Sequence, residues 1–183
     1  MDRRVKYTKK IIKDSFVELL RKKDINKITV SELCELADIN RATFYRYYID
    51  IYDLLEKVGK ELVENLKKML ADYKDSPLRE VIKAYLLMLK DNSELTKMIF
   101  SNNKNISFFN DFFEYIYYNY KIKQLDNVKN INESDTIMPF IFIFNGALGV
   151  INYWIQNDFE DDIDKISELI EKTSYTGLYG YFG

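Results

Sequence analysis

The sequence lacks the residues on which most enzyme chemistry depends. Among 183 residues there is no histidine, and Cys34 is the single cysteine. Histidine acid–base catalysis, Ser–His and Cys–His nucleophiles and imidazole metal ligands are therefore excluded. One cysteine allows neither an intrachain disulfide nor a cysteine-rich zinc site. We predict that the chain is not an enzyme and carries no cofactor and no metal.

An acidic cluster near the C-terminus leaves a carboxylate metal site as the alternative. The cluster consists of Asp158, Glu160, Asp161, Asp162 and Asp164. Asp161 and Asp162 precede the last predicted helix, where negative charge interacts favourably with the helix dipole. We prefer that interpretation for the cluster.

Helix breakers are also scarce, with two prolines and six glycines in the whole chain. Apolar residues recur mainly at intervals of three and four, which is typical of amphipathic helices. We predict an all-α fold with a three-helix unit over residues 1–48 and a larger helical domain over 49–183. The helices are expected at about 6–23, from Thr29, from Asn40 to Tyr47, at about 50–70, from Pro77, and at about 93–101, 106–125, 135–157 and 161–176.

The charge is distributed unevenly along the chain. The formal net charge is -2. Residues 1–23 carry nine basic and three acidic side chains, a net charge of +6. Residues 51–183 carry a net charge of −6. Such asymmetry is a hint of nucleic-acid or membrane contact, although a solvated lysine-rich helix gives the same pattern.

The first 50 residues have the pattern of a helix-turn-helix. Thr29 and Glu32 form a T-x-x-E capping box, and Asn40 is a good N-cap for the following helix. In a helix-turn-helix the second helix enters the DNA major groove with its N-terminal side chains toward the base edges. The segments that carry this pattern read TVSELCELA (29–37) and DINRATFYRYY (38–48), followed by Asp50 and Leu54–Leu55.

Over about residues 6–55 this pattern resembles the DNA-binding domain of the TetR/AcrR family of transcriptional regulators. The resemblance implies a homodimer that binds double-stranded DNA at a pseudo-palindromic operator. It also implies that the helical C-terminal part is a dimerisation and effector-binding domain, with the helix at about 50–70 connecting the two domains.

Residue types suggest how DNA contacts are divided. Arg41 suits bidentate contact with guanine, and Ala42 can touch a thymine methyl group. The hydroxyls of Tyr45 and Tyr47 suit phosphate oxygens. Phe44 and Tyr48 are expected in the core. The complete set of predicted DNA-binding residues is Arg3, Arg4, Lys6, Thr29, Ser31, Asn40, Arg41, Ala42, Thr43, Tyr45, Arg46 and Tyr47.

Three positions depart from the family pattern. Asp38 occupies a turn position where glycine is usual, and aspartate tolerates the left-handed backbone that such a turn needs. Tyr47 stands where the family often has histidine. Ile51 replaces a lysine that often meets a phosphate, so we expect that contact to be missing or supplied by a basic arm of Arg3, Arg4 and Lys6.

Residues 136–156 contain no charged side chain and are long enough for a membrane span. Asn145, Asn152 and Pro139 within the run, and the acidic cluster after it, argue against a membrane. The resemblance implies instead that this helix and the last one, at about 135–157 and 161–176, pair with those of a second subunit.

Residues 100–120 contain nine aromatic side chains. A stripe at helical spacing within them is usually core, but in a regulator of this kind it can line an apolar effector pocket. Whether this cluster is core or pocket stays open. The candidate ligand-binding residues are Tyr85, Met88, Phe112, Tyr115 and Trp154.

These observations predict a cytoplasmic, dimeric, sequence-specific DNA-binding regulator, because no secretory signal is visible. We expect a repressor released by a small apolar or aromatic ligand. The alternative is a ligand-independent regulator, or an activator that acts through a protein partner at its C-terminal domain.

Overall fold

A computed structural model describes residues 3–73, 76–101, 117 and 133–182, and these residues form helices joined by turns, with no strand among them. The predicted all-α class is therefore confirmed. The predicted helix at 106–125 lies outside the described residues, apart from Tyr117. The helices are α1 (Arg3–Leu20), α2 (Val30–Leu36), α3 (Arg41–Tyr45), α4 (Ile51–Asp72), α5 (Leu78–Asp91), α6 (Ser93–Ser101), α7 (Glu133–Gln156) and α8 (Ile163–Phe182).

The chain divides into two units, 1–62 and 63–183, and the division falls inside α4. The sequence prediction set the first domain at 1–48 and used this helix as the connector. The first turns of α4 belong to the first unit because they carry buried apolar side chains. These are Ile51, Leu54, Leu55 and Val58.

Helix α1 differs from its prediction at both ends. It begins at Arg3, not at residue 6, and ends at Leu20. Arginine and lysine are good helix formers, so the basic N-terminal residues continue the helix. Arg3, Arg4 and Lys6, the residues of the predicted basic arm, therefore lie in the first turns of α1. Ile12, Phe16 and Leu19 form its buried face.

The turn between α2 and α3 depends on Asp38, which has a φ of 50°. The Asp38 N–H donates to the Glu35 carbonyl at 3.2 Å, and the Ile39 N–H donates to the Cys34 carbonyl at 3.0 Å. These two bonds are those of a Schellman motif, which satisfies helix C-terminal carbonyls and usually has glycine at the left-handed position. Aspartate takes that position here, as the sequence predicts.

The second unit is built around Trp154, which is fully buried. A second left-handed turn, at Asp158 and Phe159, ends α7. The Phe159 N–H donates to the Trp154 carbonyl at 3.0 Å, and the two rings meet edge to face with centroids 4.9 Å apart. The chain then enters α8, where Asp162 accepts from the backbone N–H groups of Asp164 and Lys165. Asp162 therefore acts at the helix start, as predicted from its charge.

Candidate functional site

Helix α3 is a short helix that presents polar side chains outward from the first unit. The Asn40 side chain caps it, since its Oδ1 accepts from the Ala42 N–H at 2.8 Å. Phe44 is fully buried and anchors the inner face. The exposed face consists of Arg41, Ala42, Tyr45 and Arg46, with Asn40 at its start. Five of the predicted DNA-binding residues therefore share one surface, and we name it the α3 surface.

The start of α2 lies against this surface. Thr29 caps α2 by accepting from the Glu32 N–H at 3.3 Å. In a capping box the Glu32 carboxylate would accept from the Thr29 N–H in return. Here the Glu32 carboxylate instead accepts from the Lys23 ammonium. Ser31, in the first turn of α2, accepts a hydrogen bond from the Arg41 guanidinium. The α2 and α3 N-termini are thereby joined by a side-chain contact at the edge of the α3 surface.

Tyr47 and Thr43 are less accessible than the sequence pattern suggests. Both are half-buried. The Lys9 ammonium of α1 lies 5.7 Å from the centroid of the Tyr47 ring, within the range of a cation–π contact. Tyr48 is buried, as expected for a core residue. The α1 helix thus brings a lysine beside the tyrosine that was predicted to contact phosphate.

Lys57 connects α4 to the end of the α3 segment. Its ammonium donates to the Tyr47 carbonyl at 2.9 Å and to Asp53 Oδ2 at 2.8 Å. It also lies 5.5 Å from the centroid of the Tyr48 ring. Asp53 Oδ2 in turn accepts from the Ile49 N–H at 2.8 Å. One ion pair therefore fixes the backbone on both sides of the turn that follows α3.

The ion pair with Lys57 lowers the pKa of Asp53. The hydrogen bond from Lys57 and that from the Ile49 backbone hold the pKa of this carboxyl below its ordinary value. Asp50 completes the arrangement, because its Oδ1 accepts from the Asp53 N–H at 2.8 Å and caps α4.

Three exposed apolar or aromatic side chains near these elements were missed from the sequence. Ile49, between α3 and α4, is 77% exposed, and Tyr52 on α4 and Tyr7 on α1 are more than half exposed. Ile51, where a phosphate-binding lysine was absent, is buried. Periodicity could have found Tyr52, because its neighbours Ile51, Leu54 and Leu55 all belong to the buried face.

An apolar cavity of about 120 Å³ lies within the second unit. Its wall comes from α5, α7, α8 and the end of α4. Among the described residues that line it none is charged, and the polar ones are Tyr85 and Ser174. The lining residues are Leu70, Leu78, Val81, Ile82, Tyr85, Phe140, Ile143, Phe144, Ala147, Leu148, Ile151, Ile170, Ser174 and Leu178.

The five candidate ligand-binding residues do not come together at this cavity. Tyr85 lines it, whereas Met88 and Trp154 are absent from its wall. Trp154 is a core residue, and its indole N–H donates to the Asp161 carbonyl at 3.0 Å. Phe112 and Tyr115 lie outside the described residues. The sequence analysis did not include Ser174, because a serine in a helix of alternating polar and apolar residues does not by itself indicate a cavity wall.

Helix α7 exposes an apolar face within the single chain. Met138 is 79% exposed, Phe142 81% and Tyr153 65%. A Cβ added at Gly146 or Gly149 would meet no heavy atom within 4 Å. Among the described residues, the segment Asp135–Gln156 is long and apolar enough to cross a membrane, and 11% of its most apolar window is buried.

Comparison with known proteins identifies the family. The TetR-type transcriptional-regulator C-terminal region matches residues 76–175, more than half of the chain. The chain belongs to the TetR family of transcriptional regulators. The resemblance seen in the N-terminal sequence is therefore confirmed by a match to the C-terminal half.

Other TetR-like proteins extend this likeness over nearly the whole chain. The uncharacterized HTH-type transcriptional regulator YxbF of Bacillus subtilis is 26% identical over 180 residues, which cover 94% of the chain. The chain spans about half of that relative, 46% of its length.

Two solved structures have the same fold. One is the dihydroxyacetone kinase operon activator DhaS, with a TM-score of 0.72 and 19% identity over 96% of this chain and 98% of that one. The other is the regulator FadR of Bacillus subtilis in complex with stearoyl-CoA, with a TM-score of 0.73 and 17% identity over 91% of this chain and 97% of that one.

The Asp53–Lys57 pair predicts a pH dependence of stability. Because the pKa of Asp53 is lowered in the folded chain, its contribution is fully present above the ordinary aspartate pKa of about 3.9 and is lost as the pH falls through the folded value. Asp53→Asn should therefore be less stable than the unsubstituted chain near pH 6, and the difference should shrink below about pH 4.

Urea unfolding followed by far-ultraviolet circular dichroism at pH 3 to 7 measures this difference. Glu56→Gln is the control, since Glu56 forms an exposed i,i+4 pair with Lys60 on the same helix. Such pairs contribute about 0.3–0.5 kcal/mol. A difference between Asp53→Asn and the unsubstituted chain that stays constant from pH 3 to 7 would contradict the assignment.

Proposed function

We propose that this TetR-family chain is a homodimeric, sequence-specific DNA-binding repressor that a small apolar ligand releases from its operator. The observation that carries the DNA-binding part is the α3 surface, where Arg41, Ala42 and Tyr45 project from a helix anchored by buried Phe44. Base readout in the major groove needs such a rigidly held helix with exposed N-terminal side chains. Because the family consists of transcription factors, we propose no enzyme activity.

The division of roles follows from side-chain chemistry. Arginine can form a bidentate contact with the O6 and N7 atoms of guanine, and a contact of this type contributes about 1–3 kcal/mol of base discrimination. Tyr45 is 57% exposed, so its hydroxyl is available to a phosphate oxygen. Phosphate contacts position a protein on DNA without reading its sequence. We therefore assign base reading to Arg41 and positioning to Tyr45.

The exposed face of α7 supports dimerisation. Met138, Phe142, Gly146, Gly149 and Tyr153 follow one another at helical spacing, and the glycines allow a second helix to approach closely. A membrane span would account for the same apolarity, but Asn145 and Asn152 within the run and the acidic cluster after it favour a second copy. Two DNA-binding units at successive major grooves require recognition helices about 34–36 Å apart.

The cavity supports a ligand that is small, uncharged and mainly apolar. A cavity of about 150 Å³ lined by aliphatic and aromatic side chains is known to hold benzene, so the present cavity fits a molecule of that scale. Ser174 is 8% exposed, and it is one of two described polar residues in the cavity wall. A ligand with one hydroxyl or carbonyl group would satisfy it. FadR of similar fold was solved with stearoyl-CoA, a far larger molecule.

Release from DNA follows if the ligand binds preferentially to a conformation with lower DNA affinity. Helix α4 carries residues of both units, and Leu70 near its end lines the cavity. We propose that α4 transmits the conformational change from the ligand-binding unit to the DNA-binding unit. An activator would use the same DNA-binding surface, and DhaS, with the same fold, is an operon activator. A cytoplasmic location is part of this proposal, since the protein must reach DNA.

The DNA-binding proposal is tested by selecting bound sequences from a random DNA pool and titrating the winner at two salt concentrations. We expect a pseudo-palindromic consensus and a steep loss of affinity with salt, because neutralised phosphates release counterions. Arg41→Ala should lower discrimination at one or two base positions by about 1–3 kcal/mol. Tyr45→Phe should weaken all sequences by a similar factor.

Arg79→Ala is the matched control, because Arg79 lies in the second unit and pairs with Glu168 at 3.1 Å. It should leave base preference unchanged. Transcription from a promoter that carries the selected operator should fall when the protein is expressed, and a rise would indicate an activator. Arg41→Ala with unaltered affinity and preference would contradict the assigned role of the α3 surface.

The cavity proposal is tested with toluene and benzyl alcohol, read out by the fluorescence of Trp154, the single tryptophan. We expect both to bind, with benzyl alcohol favoured by about 0.5–1.5 kcal/mol through the Ser174 hydroxyl. Ser174→Ala should remove that preference. Ala147→Phe should block both probes because Ala147 lines the cavity, whereas Ala71→Phe, at an exposed position, should not. If Ala147→Phe binds both probes as tightly as the unsubstituted chain does, the probes bind outside the cavity.

A further inference from the structure

The contact between Ser31 and Arg41 joins two helices at the edge of the α3 surface. Ser31 lies in the first turn of α2, and Arg41 is the first residue of α3. The Arg41 Nη2 group donates a hydrogen bond to Ser31 Oγ across ten residues of sequence. The positive charge of Arg41 is also close enough to the buried Cys34 thiol to lower its pKa, opposing the larger rise that burial causes. The guanidinium is therefore held toward α2.

We infer that Ser31 is a positioning residue that fixes the Arg41 side chain for base reading. This inference rests on the proposed DNA-binding function. It assigns Ser31 a role different from the direct DNA contact that the sequence pattern suggests. The specificity of the α3 surface then depends on a hydroxyl that need not touch DNA.

The chemistry of the guanidinium permits both contacts at once. Arginine has five N–H donors in a planar fork, and Ser31 uses one of them. The second Nη2 hydrogen and those on the other nitrogens remain for a bidentate contact with guanine. A free arginine side chain must lose its rotational freedom when it binds DNA, whereas a side chain already held in place loses less. Preorganisation therefore strengthens the contact with the correct base.

A direct contact of Ser31 with phosphate would have a different signature. Phosphate contacts carry no sequence information, so their loss weakens binding to all sequences by a similar factor. Loss of a positioning residue instead reduces the difference between the preferred base and the others. The readout that separates the two roles is base preference at the position that Arg41 reads.

The experiment uses the full chain and the operator obtained from the random DNA pool. Binding of the operator and of its three single-base variants at each position is measured for the unsubstituted chain and for Arg41→Ala, which locates the position that Arg41 reads. Ser31→Ala, Ser31→Thr and Ser31→Val are then compared at that position. Threonine retains the hydroxyl, and valine has nearly the same shape without it.

We expect Ser31→Ala and Ser31→Val to reduce discrimination at the Arg41 position about threefold to tenfold, as for the loss of an ordinary hydrogen bond at an exposed site. Ser31→Thr should restore it. In the Arg41→Ala background, Ser31→Ala should cause no further loss of preference. Circular dichroism spectra and unfolding midpoints confirm that each variant folds, and Ser31→Thr provides the rescue that a structural defect would not show.

Two results would overturn the inference while leaving the proposed function intact. Arg41→Ala could relax one base position while Ser31→Ala leaves it unchanged, or Ser31→Ala could weaken all sequences equally. If Arg41→Ala itself relaxes no position, the base-reading role of Arg41 is wrong, and the inference about Ser31 is wrong with it.

Discussion

The left-handed turn at Asp38 is the constraint on which the first unit depends. Its φ of 50° lets the Asp38 and Ile39 N–H groups bond back to α2 and redirects the chain to Asn40. Asn40 then caps α3, and Phe44 is buried beneath it. Because the inner side of so short a helix is taken by one buried ring, Arg41, Ala42 and Tyr45 are left exposed and Thr43 half-buried. The turn therefore determines which side chains of α3 are exposed.

Helix α7 has one side that lines the cavity of the second unit and another side that is exposed. One side contributes Phe140, Phe144 and Ala147 to the cavity wall. Another side, with Met138 and Phe142, is exposed in the single chain. The role of a helix that is apolar on nearly every side can be assigned only when it is known what each side packs against. Its composition alone is shared by membrane spans, core helices and subunit interfaces.

Local chemistry explains which parts of the structure could be predicted. Thr29, Asn40 and Asp50 act as caps because a capping bond involves only residues two or three apart, and Asp38 was identified from its turn position. The all-α class followed from periodicity. Long-range pairing could not be read in this way: Glu32 bonds to Lys23 and not back to its own helix start.

Which side chains line a cavity is also a long-range property. Tyr85 was included among five candidates, whereas Ser174 was not, because a serine in α8 has no special signal until three other helices surround it. The start of α1 was also set too late in the sequence. The clustered basic residues Arg3 and Arg4 are good helix formers and here lengthen α1.

The central claim is that two copies of the α3 surface lie in successive major grooves. A hydroxyl-radical footprint of the full chain on its selected operator measures this most directly. The claim predicts two protected segments centred about 10 base pairs apart on one face of the duplex. A single continuous protected stretch that is the same on unrelated DNA, or no protection at a concentration that saturates binding, would contradict it.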